Sequence, residues 1–311
     1  MKITVIGAGN VGATCADVMA RKELANEIVL VDIIEGIAEG KALDMWQTAP
    51  VDGTDTRVIG VTDDYSKTKD SEIIVITSGV PRKPGMSRDD LIGTNAKIVK
   101  SVTEQAIKYS PDAIIIVVAN PLDVMTYTAS LVSKKDRMKV FGMAGILDTS
   151  RFKAFIAAEL NVSTRDIQTL LLGGHGDTMV PLPGYTTVSG IPLTQFLNKE
   201  KIEAIVQRTR GGGGEIVKLQ GTSAWYAPAA AVAQMVESIV RDQHRIVPVC
   251  VELNGEYGMK DVFLGVPVKL GKEGIKEIIE IDLNKEEMEL LTASSDAVKN
   301  VMGILDNMNL F

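Results

Sequence analysis

Gly7-Ala8-Gly9-Asn10-Val11-Gly12 is the stretch that decides the fold. It follows an apolar run that predicts a buried strand, Lys2–Ile6, and it opens a helical pattern over Asn10–Lys22. Glycines at this spacing let the backbone turn tightly against a pyrophosphate, whose charge the helix N-terminus stabilises. The turn therefore predicts a dinucleotide-binding βαβ unit. We expect contacts to the cofactor from Gly7, Gly9, Asn10, Val11 and Gly12.

Asp32 identifies the dinucleotide. It follows the second predicted strand, Glu27–Val31, and lies 20 residues beyond Gly12. At this distance a carboxylate reaches the adenosine ribose, where it binds the 2′-hydroxyl of NAD and repels the 2′-phosphate of NADP. A tight glycine turn and an unrelated capping aspartate are the alternative. They would account for the glycines and for Asp32 separately, but not for the spacing between them. The predicted cofactor is NAD.

The first half of the chain alternates short β-branched runs with helical patterns. Several runs are apolar throughout, which is typical of parallel strands covered on both faces. We therefore predict an α/β fold, a Rossmann doubly wound parallel sheet, as an NAD-binding domain over residues 1–145. The predicted strands are Lys2–Ile6, Glu27–Val31, Arg57–Val61, Glu72–Thr77, Ala113–Val118 and Lys139–Gly142, and the helices are Asn10–Lys22, Ile34–Gln47, Arg88–Tyr109 and Leu122–Ser133.

The pattern changes after Ala144. Residues 146–311 are predicted to form an α+β catalytic domain that binds the substrate and contains antiparallel strands. The glycine run Gly211–Gly214 is expected to break or kink a helix. The predicted helices are Thr149–Leu160, Lys201–Arg210, Glu215–Leu219, Ser223–Val240 and Lys285–Met308, and the strands are Asp166–Leu172, Arg245–Leu253, Val262–Leu270 and Ile275–Ile281.

Composition excludes several classes of function. The chain of 311 residues carries a formal net charge of -7, which disfavours nucleic acids and anionic membranes as partners. No apolar run approaches the ~18 residues of a membrane span, and we expect neither a membrane partner nor a targeting peptide. Cys15 and Cys250 stand in no metal-binding spacing, so no metal site is expected and a reducing, cytoplasmic location is favoured.

His175 is the strongest candidate for acid–base chemistry. It lies in Gly173-Gly174-His175-Gly176-Asp177, after a predicted strand, whereas the other histidine, His244, lies in an ordinary polar stretch. Flanking glycines allow the backbone and the imidazole to approach another group closely. An imidazole can take a hydroxyl proton as a hydride leaves, and return it in the reverse reaction.

Asp148 and Arg151 allow two interpretations. They lie three residues apart at the start of a predicted helix, so an N-cap with a local ion pair would explain them. The same spacing puts both side chains on one face, where Asp148 could orient an imidazole and Arg151 could bind a carboxylate. Spacing alone does not separate these alternatives.

A basic loop, Val80–Arg88, follows the fourth predicted strand. A solvated charged loop is the default interpretation, but its place at the carboxyl end of a strand favours a lid over a substrate. Asn120-Pro121 follows the fifth strand at the same edge of the sheet.

Together these motifs resemble the lactate/malate dehydrogenase family over nearly the whole chain. The motifs that carry the resemblance are Gly7–Gly12 with Asp32, Arg82–Arg88 followed by Asn95, Val118-Ala119-Asn120-Pro121, Leu147–Arg151 and Gly173–Asp177. The resemblance implies that His175 is the acid/base and that Asp148 orients it. It implies that Arg151 binds the substrate's C1 carboxylate and that Arg88 polarises the reacting carbonyl. It also implies a substrate contact from Ser223, a contact to substrate or cofactor from Asn120, and cofactor contacts from Asn95 and Val118.

Arg82 is the residue expected to select the substrate. In this family a cation at this place resembles the malate enzymes, and a neutral amide the lactate enzymes. The expected reaction is reversible transfer of a hydride between (S)-malate and NAD, giving oxaloacetate and NADH in the tricarboxylic acid cycle. Lactate or another 2-hydroxy acid is the alternative substrate, and an NAD-sensing module is the non-enzymatic alternative. A homo-oligomer is expected, with a tetramer favoured over a dimer.

Overall fold

Six parallel strands form the centre of the fold in the computed structural model, which describes residues 1–81 and 87–311. They are β1 (Lys2–Ile6), β2 (Glu27–Asp32), β3 (Arg57–Thr62), β4 (Ile73–Ile76), β5 (Ile114–Val117) and β6 (Val140–Gly142). Their order across the sheet is β3-β2-β1-β4-β5-β6, so the direction of winding reverses between β1 and β4. This is the switch point at which doubly wound sheets bind their ligands.

Helices cover both faces of the parallel strands. They are α1 (Asn10–Arg21), α2 (Ile37–Asp52), α3 (Arg88–Tyr109) and α4 (Leu122–Ser133). The prediction that the second helix begins at Ile34 was wrong. The Asp32 carboxylate accepts the amide of Ile34 at 3.0 Å and Gly36 adopts a φ of 77°, so the chain turns once more before α2 begins.

The second half extends the same sheet. Strand β12 (Arg245–Asn254), which comes after five short strands, pairs antiparallel to β6, with Cys250 opposite Gly142. Strands β13 (Lys260–Gly271) and β14 (Gly274–Ile278) continue it outward. The helices of this half are α5 (Gly145–Leu160), α6 (Lys199–Gln220), α7 (Tyr226–Val240) and α8 (Lys285–Asp306). No helix in the described ranges is long and apolar enough to cross a membrane.

The five short strands lie beside the sheet. They are β7 (Ile167–Gln168), β8 (Leu171–Leu172), β9 (Val180–Pro181), β10 (Thr187–Val188) and β11 (Ile191–Pro192). The single strand predicted over Asp166–Leu172 is thus divided into β7 and β8. The two pieces pair with different partners, β7 with β10 and β8 with β9. Between them, the buried Thr169 hydroxyl bonds the hydroxyl of Thr186 at 2.6 Å.

The glycine run does not interrupt its helix, contrary to the prediction. Helix α6 continues from Lys199 to Gln220 through all four glycines, although each costs a helix about 1 kcal/mol relative to alanine. Packing explains one of them. A Cβ atom on the buried Gly212 would lie 3.3 Å from Cδ of Arg151, so glycine lets α6 approach α5 closely. Tertiary contacts therefore outweigh the local propensity.

Replacing Gly211 by alanine should stabilise the protein. A Cβ atom there meets nothing within 4 Å, and alanine favours helix over glycine by about 0.5–1 kcal/mol. We expect the free energy of unfolding, measured by urea titration, to rise by about that amount. Gly212→Ala is the matched control, since its methyl group crowds Arg151 and should cancel the gain. Equal stabilisation by both substitutions would contradict this account of α6.

Candidate active site

The glycine turn after β1 is shaped by two close contacts. Gly7 has a φ of 106°, and a Cβ atom there would lie 2.7 Å from Oγ1 of Thr77. A Cβ atom on Gly12 would lie 1.8 Å from the carbonyl oxygen of Gly7. Gly9 differs, because its Cβ would meet nothing within 4 Å. The turn therefore presents an open backbone surface at the N-terminus of α1, where a pyrophosphate fits.

Asp32 holds this turn in place. One oxygen of its carboxylate accepts the amide of Ala8 at 2.6 Å and the other accepts the amide of Ile34 at 3.0 Å. Asp32 is only half-buried, and its contact to the ribose of NAD stays a prediction. Lys41 is a residue that the sequence did not reveal. Its ammonium group donates to the carbonyl oxygen of Ala8 at 2.6 Å, and no motif marks it.

The loops after β4 and β5 are joined by Asn95. Its amide nitrogen donates to the carbonyl oxygens of Val80 (3.1 Å) and Asn120 (2.7 Å), and its side-chain oxygen accepts the amide of Val80 at 2.8 Å. Asn95 is buried and therefore positions these two loops through their backbone. The predicted contact between Asn95 and the cofactor stays a prediction.

A hydrogen-bonded chain of three side chains forms the chemical centre. Nδ1 of His175 lies 2.8 Å from Oδ2 of Asp148, and Oδ1 of Asp148 accepts a bond from Nη1 of Arg151 at 3.1 Å. Asp148 is only 2% exposed. A carboxylate at Nδ1 fixes the proton there and leaves Nε2 for a substrate. The prediction that Asp148 is an N-cap was wrong, because α5 begins at Gly145 and Asp148 lies inside its first turn, but the local ion pair with Arg151 is present. The bond from Asp148 to the imidazole is present as well, and the binding of a carboxylate by Arg151 stays a prediction.

The environment of His175 favours its charged form. Burial opposes protonation of the imidazole, but the charge of Asp148 and the hydrogen bond from it outweigh that cost. The pKa of His175 is consequently raised above its ordinary value. The neutral imidazole is therefore a stronger base than a free histidine side chain. A group that removes a proton from a hydroxyl needs this property.

The loop that carries His175 is held by two side chains that the sequence analysis missed. The amide of His175 donates to Oδ2 of Asp123 at 2.9 Å, and the amide of Gly174 donates to Oγ of Ser294 at 2.8 Å. Burial raises the pKa of Asp123 to about 6, although His175 and the Cys250 thiol partly stabilise its charged form. An acid inside the apolar stretch of α4 was the available signal for Asp123, whereas nothing local marks Ser294.

One cavity collects six of the predicted site residues. His175 and Arg151 line it together with Asn120, Ser223, Val118 and Val11, so the cofactor turn and the proton relay face the same space. Lining residues outside the predicted set include Met143, Leu147, Met179, Arg210, Gly213, Gly214, Val217 and Pro228. Their contribution was not visible in the sequence because they come from four separate segments.

Arg88 lies apart from this cavity. It is exposed at the start of α3 and lines a neighbouring cavity that also reaches His175 and Asp123. The Ser87 side chain caps α3 by accepting the amide of Asp90 at 3.0 Å. Arg82 falls outside the described residues.

Comparisons with known proteins agree with this arrangement. The chain matches the family described as lactate/malate dehydrogenase, NAD binding domain, over residues 1–142, and its alpha/beta C-terminal domain over residues 146–305. A malate dehydrogenase of Cytophaga hutchinsonii is 63% identical over 99% of both chains. The solved malate dehydrogenase of Salinibacter ruber is 55% identical, with a TM-score of 0.95 over 99% of this chain and 98% of that one. The solved malate dehydrogenase of Plasmodium falciparum in complex with NADH is 38% identical, with a TM-score of 0.92 over 98% and 99%.

Asp148→Asn should change the pH dependence of turnover. If His175 donates the proton in the reduction of a 2-keto acid, as the resemblance implies, kcat/KM falls as the pH rises through the raised pKa of this residue. Without the carboxylate charge that pKa drops, and the falling limb should move to lower pH. We expect kcat/KM at pH 8 to decrease by about 100-fold.

The measurement is a kcat/KM profile between pH 5 and 10 with NADH as reductant. Asp242→Asn is the matched control, because Asp242 pairs with the other histidine, His244, at the surface. It should leave the profile unchanged. An unshifted falling limb in Asp148→Asn would show that Asp148 does not set the pKa of His175.

Proposed function

The chain belongs to the lactate/malate dehydrogenase family, and we propose that it catalyses the reversible, NAD-dependent oxidation of (S)-malate to oxaloacetate. The observation that carries this proposal is the Arg151–Asp148–His175 chain, whose two ends open into one cavity with the cofactor turn. An anion-binding group thereby lies a fixed distance from a proton acceptor. A 2-hydroxy acid presents a carboxylate and a hydroxyl on adjacent carbons, which matches that pairing.

The chain's own residues bind, orient and move a proton. NAD, held by the glycine turn and Asp32, would supply the hydride acceptor for the oxidation of malate and, once reduced, the hydride donor for the reverse reaction. Nε2 of His175 takes the hydroxyl proton, and Asp148 stabilises the imidazolium that results. Arg151 holds the C1 carboxylate through a bidentate pair, for which a guanidinium is suited. We assign cofactor binding to residues 1–145 and the proton relay to residues 146–311.

Four further residues complete the proposed site. Arg88 polarises the reacting carbonyl, and Asn120 and Ser223 hydrogen-bond the substrate. Support for Asn120 and Ser223 comes from their place on the cavity wall beside His175. Arg82 pairs with the distal carboxylate of oxaloacetate, a charged hydrogen bond worth about 1.5–3 kcal/mol. With pyruvate this arginine would remain unpaired, and the lost pairing disfavours lactate as the substrate.

A non-catalytic NAD sensor is the other candidate of a different class. Such a protein needs the open glycine turn and Asp32, but it has no use for a buried acid–imidazole pair. Asp148 is only 2% exposed beside His175 and Arg151, and burying its charge costs desolvation energy. A catalytic role gives a reason for this cost, whereas a sensing role does not. The enzyme is therefore the better proposal.

We also propose a cytoplasmic role in the tricarboxylic acid cycle. The reaction links malate and oxaloacetate, and the two cysteines, both buried and free, suit a reducing compartment. Cell fractionation followed by activity assay tests the location. Activity recovered outside the cytoplasmic fraction would contradict it.

Self-association is supported by apolar side chains on the surface. Leu43, Trp46 and Val51 on α2 are 54%, 48% and 86% exposed, and Leu219 and Tyr226 near the α6–α7 junction are 80% and 71% exposed. Large exposed apolar groups mark protein contacts, and soluble enzymes most often contact a second copy of themselves. We propose a homotetramer, with a homodimer as the alternative.

Light scattering on a sizing column tests this assembly. The expected mass is four times the 33.4 kDa of one chain. Leu43→Glu, which places a charge on the α2 surface, should lower that mass, whereas Glu289→Gln on exposed α8 should not. A mass near 33.4 kDa for the unaltered protein at micromolar concentration would exclude the proposal.

The activity is tested by following NADH oxidation with oxaloacetate and pyruvate in parallel. We expect rapid turnover with oxaloacetate and at least about 100-fold lower kcat/KM with pyruvate. Arg82→Gln should lower this ratio at least about tenfold, because it removes the charged partner of the distal carboxylate. Lys83→Gln is the matched control and should change the ratio little. Faster turnover of pyruvate would support a lactate enzyme, and bound NADH without turnover of either would support the sensor.

A further inference from the structure

Helix α6 presents one continuous stripe to the substrate cavity. Arg210, Gly213, Gly214 and Val217 all line it, and their spacing places them on one face of the helix. Two of the four positions are glycines, so this wall carries no side chain between Arg210 and Val217. A Cβ atom on Gly213 would lie 3.9 Å from Nη2 of Arg151. The glycine wall therefore separates two guanidinium groups that border the same space.

Arg210 is a cation without an acidic partner in the described part of the chain. It is half-buried, and its recorded hydrogen bond runs from Nε to the carbonyl oxygen of Met179 at a long 3.4 Å. No acidic side chain of residues 1–81 or 87–311 forms an ion pair with it. Arg208, two residues earlier on the same helix, pairs with Glu215 at 2.8 Å. Among the described residues lining the cavity, the acidic one is Asp177, which is exposed.

A partly desolvated guanidinium without an acid favours an anionic ligand. Arg151 already pairs with Asp148, and this bond holds Arg151 beside His175. The proposed function assigns to Arg151 the substrate carboxylate next to the reacting carbon. Arg210 lies on a different helix and is free of that relay. A substrate whose one carboxylate is bound at Arg151 leaves Arg210 unpaired, whereas a dicarboxylate in the same cavity has a second carboxylate for Arg210.

We propose that Arg210 is a specificity-determining residue that pairs with the distal carboxylate of a dicarboxylic 2-hydroxy or 2-keto acid. This inference rests on the proposed function, and it adds a cation fixed on α6 to the one assigned to Arg82. Two cations would then select the four-carbon substrate. Gly213 and Gly214 keep the space between the arginines open for its extra carboxymethyl group.

The test compares Arg210→Gln with Arg208→Gln, a control that removes the same charge from another face of the same helix. With saturating NADH, Arg210→Gln should lower kcat/KM for oxaloacetate about 10- to 100-fold, mainly through KM. The value for pyruvate should change less than about threefold. Arg208→Gln should change both values less than about twofold. Arg210→Lys, which keeps the charge without the fork, should lie between Arg210→Gln and the unaltered protein.

Equal losses on oxaloacetate and pyruvate would overturn the proposal, since they would assign Arg210 a structural role through Met179. No loss on either substrate would overturn it as well. Unchanged melting temperature and NADH affinity establish that the variants are folded. Arg210→Lys keeps the test available if the glutamine variant does not fold.

Failure of the proposed function has a different signature. If the unaltered protein binds NADH but reduces neither substrate, the enzyme assignment fails. Binding of malonate and acetate to the NADH complex, followed by NADH fluorescence, then tests Arg210 alone. Arg210→Gln should weaken malonate binding about tenfold or more and leave acetate binding unchanged. Equal affinity for malonate in both proteins would overturn the role of Arg210.

Discussion

The 2.8 Å hydrogen bond between Asp148 and His175 is the contact on which the site depends. It joins helix α5 to the loop between β8 and β9, and further contacts hold that loop in place. Asp123 of α4 and Ser294 of α8 bind the two consecutive amides of His175 and Gly174. The position of one imidazole is thus determined by three helices from distant parts of the chain. Such redundancy keeps a proton acceptor within hydrogen-bond reach of its partner.

The continuous sheet explains how the two halves of the chain meet. The glycine turn follows β1, which lies beside the switch point of the sheet. Strand β12 continues the sheet beyond β6, with Cys250 opposite Gly142. Since α5 begins three residues after β6, Asp148 is carried to the cavity directly from the edge of the parallel strands. The glycine turn and the Arg151–Asp148–His175 chain are therefore positioned by one continuous sheet.

Local signals made much of this arrangement predictable, and non-local contacts account for the rest. The glycine turn, Asp32 and the strand–helix alternation each depend on residues near in sequence, and α4 was predicted to the residue. The divided strand, β7 and β8, depends on separate partners later in the chain. Asp123 and Ser294 act through amides 52 and 120 residues away, and Gly212 is required by Arg151 of another helix. A single sequence does not indicate which distant residues contact one another.

Asp148 bonds both His175 and Arg151, so in the proposed function it couples the protonation of the imidazole to the binding of an anion by the guanidinium. A carboxylate bound at Arg151 and a proton bound at His175 each alter the electric field that the other experiences through the same buried anion. Thermodynamic linkage makes the effect reciprocal: whatever protonation does to the affinity for the anion, the anion does to the affinity for the proton. Substrate binding should therefore exchange protons with the solvent, as oxygen does in a Bohr effect. The proton and the substrate carboxylate are thus two heterotropic ligands, and the single side chain of Asp148 lies between their binding groups.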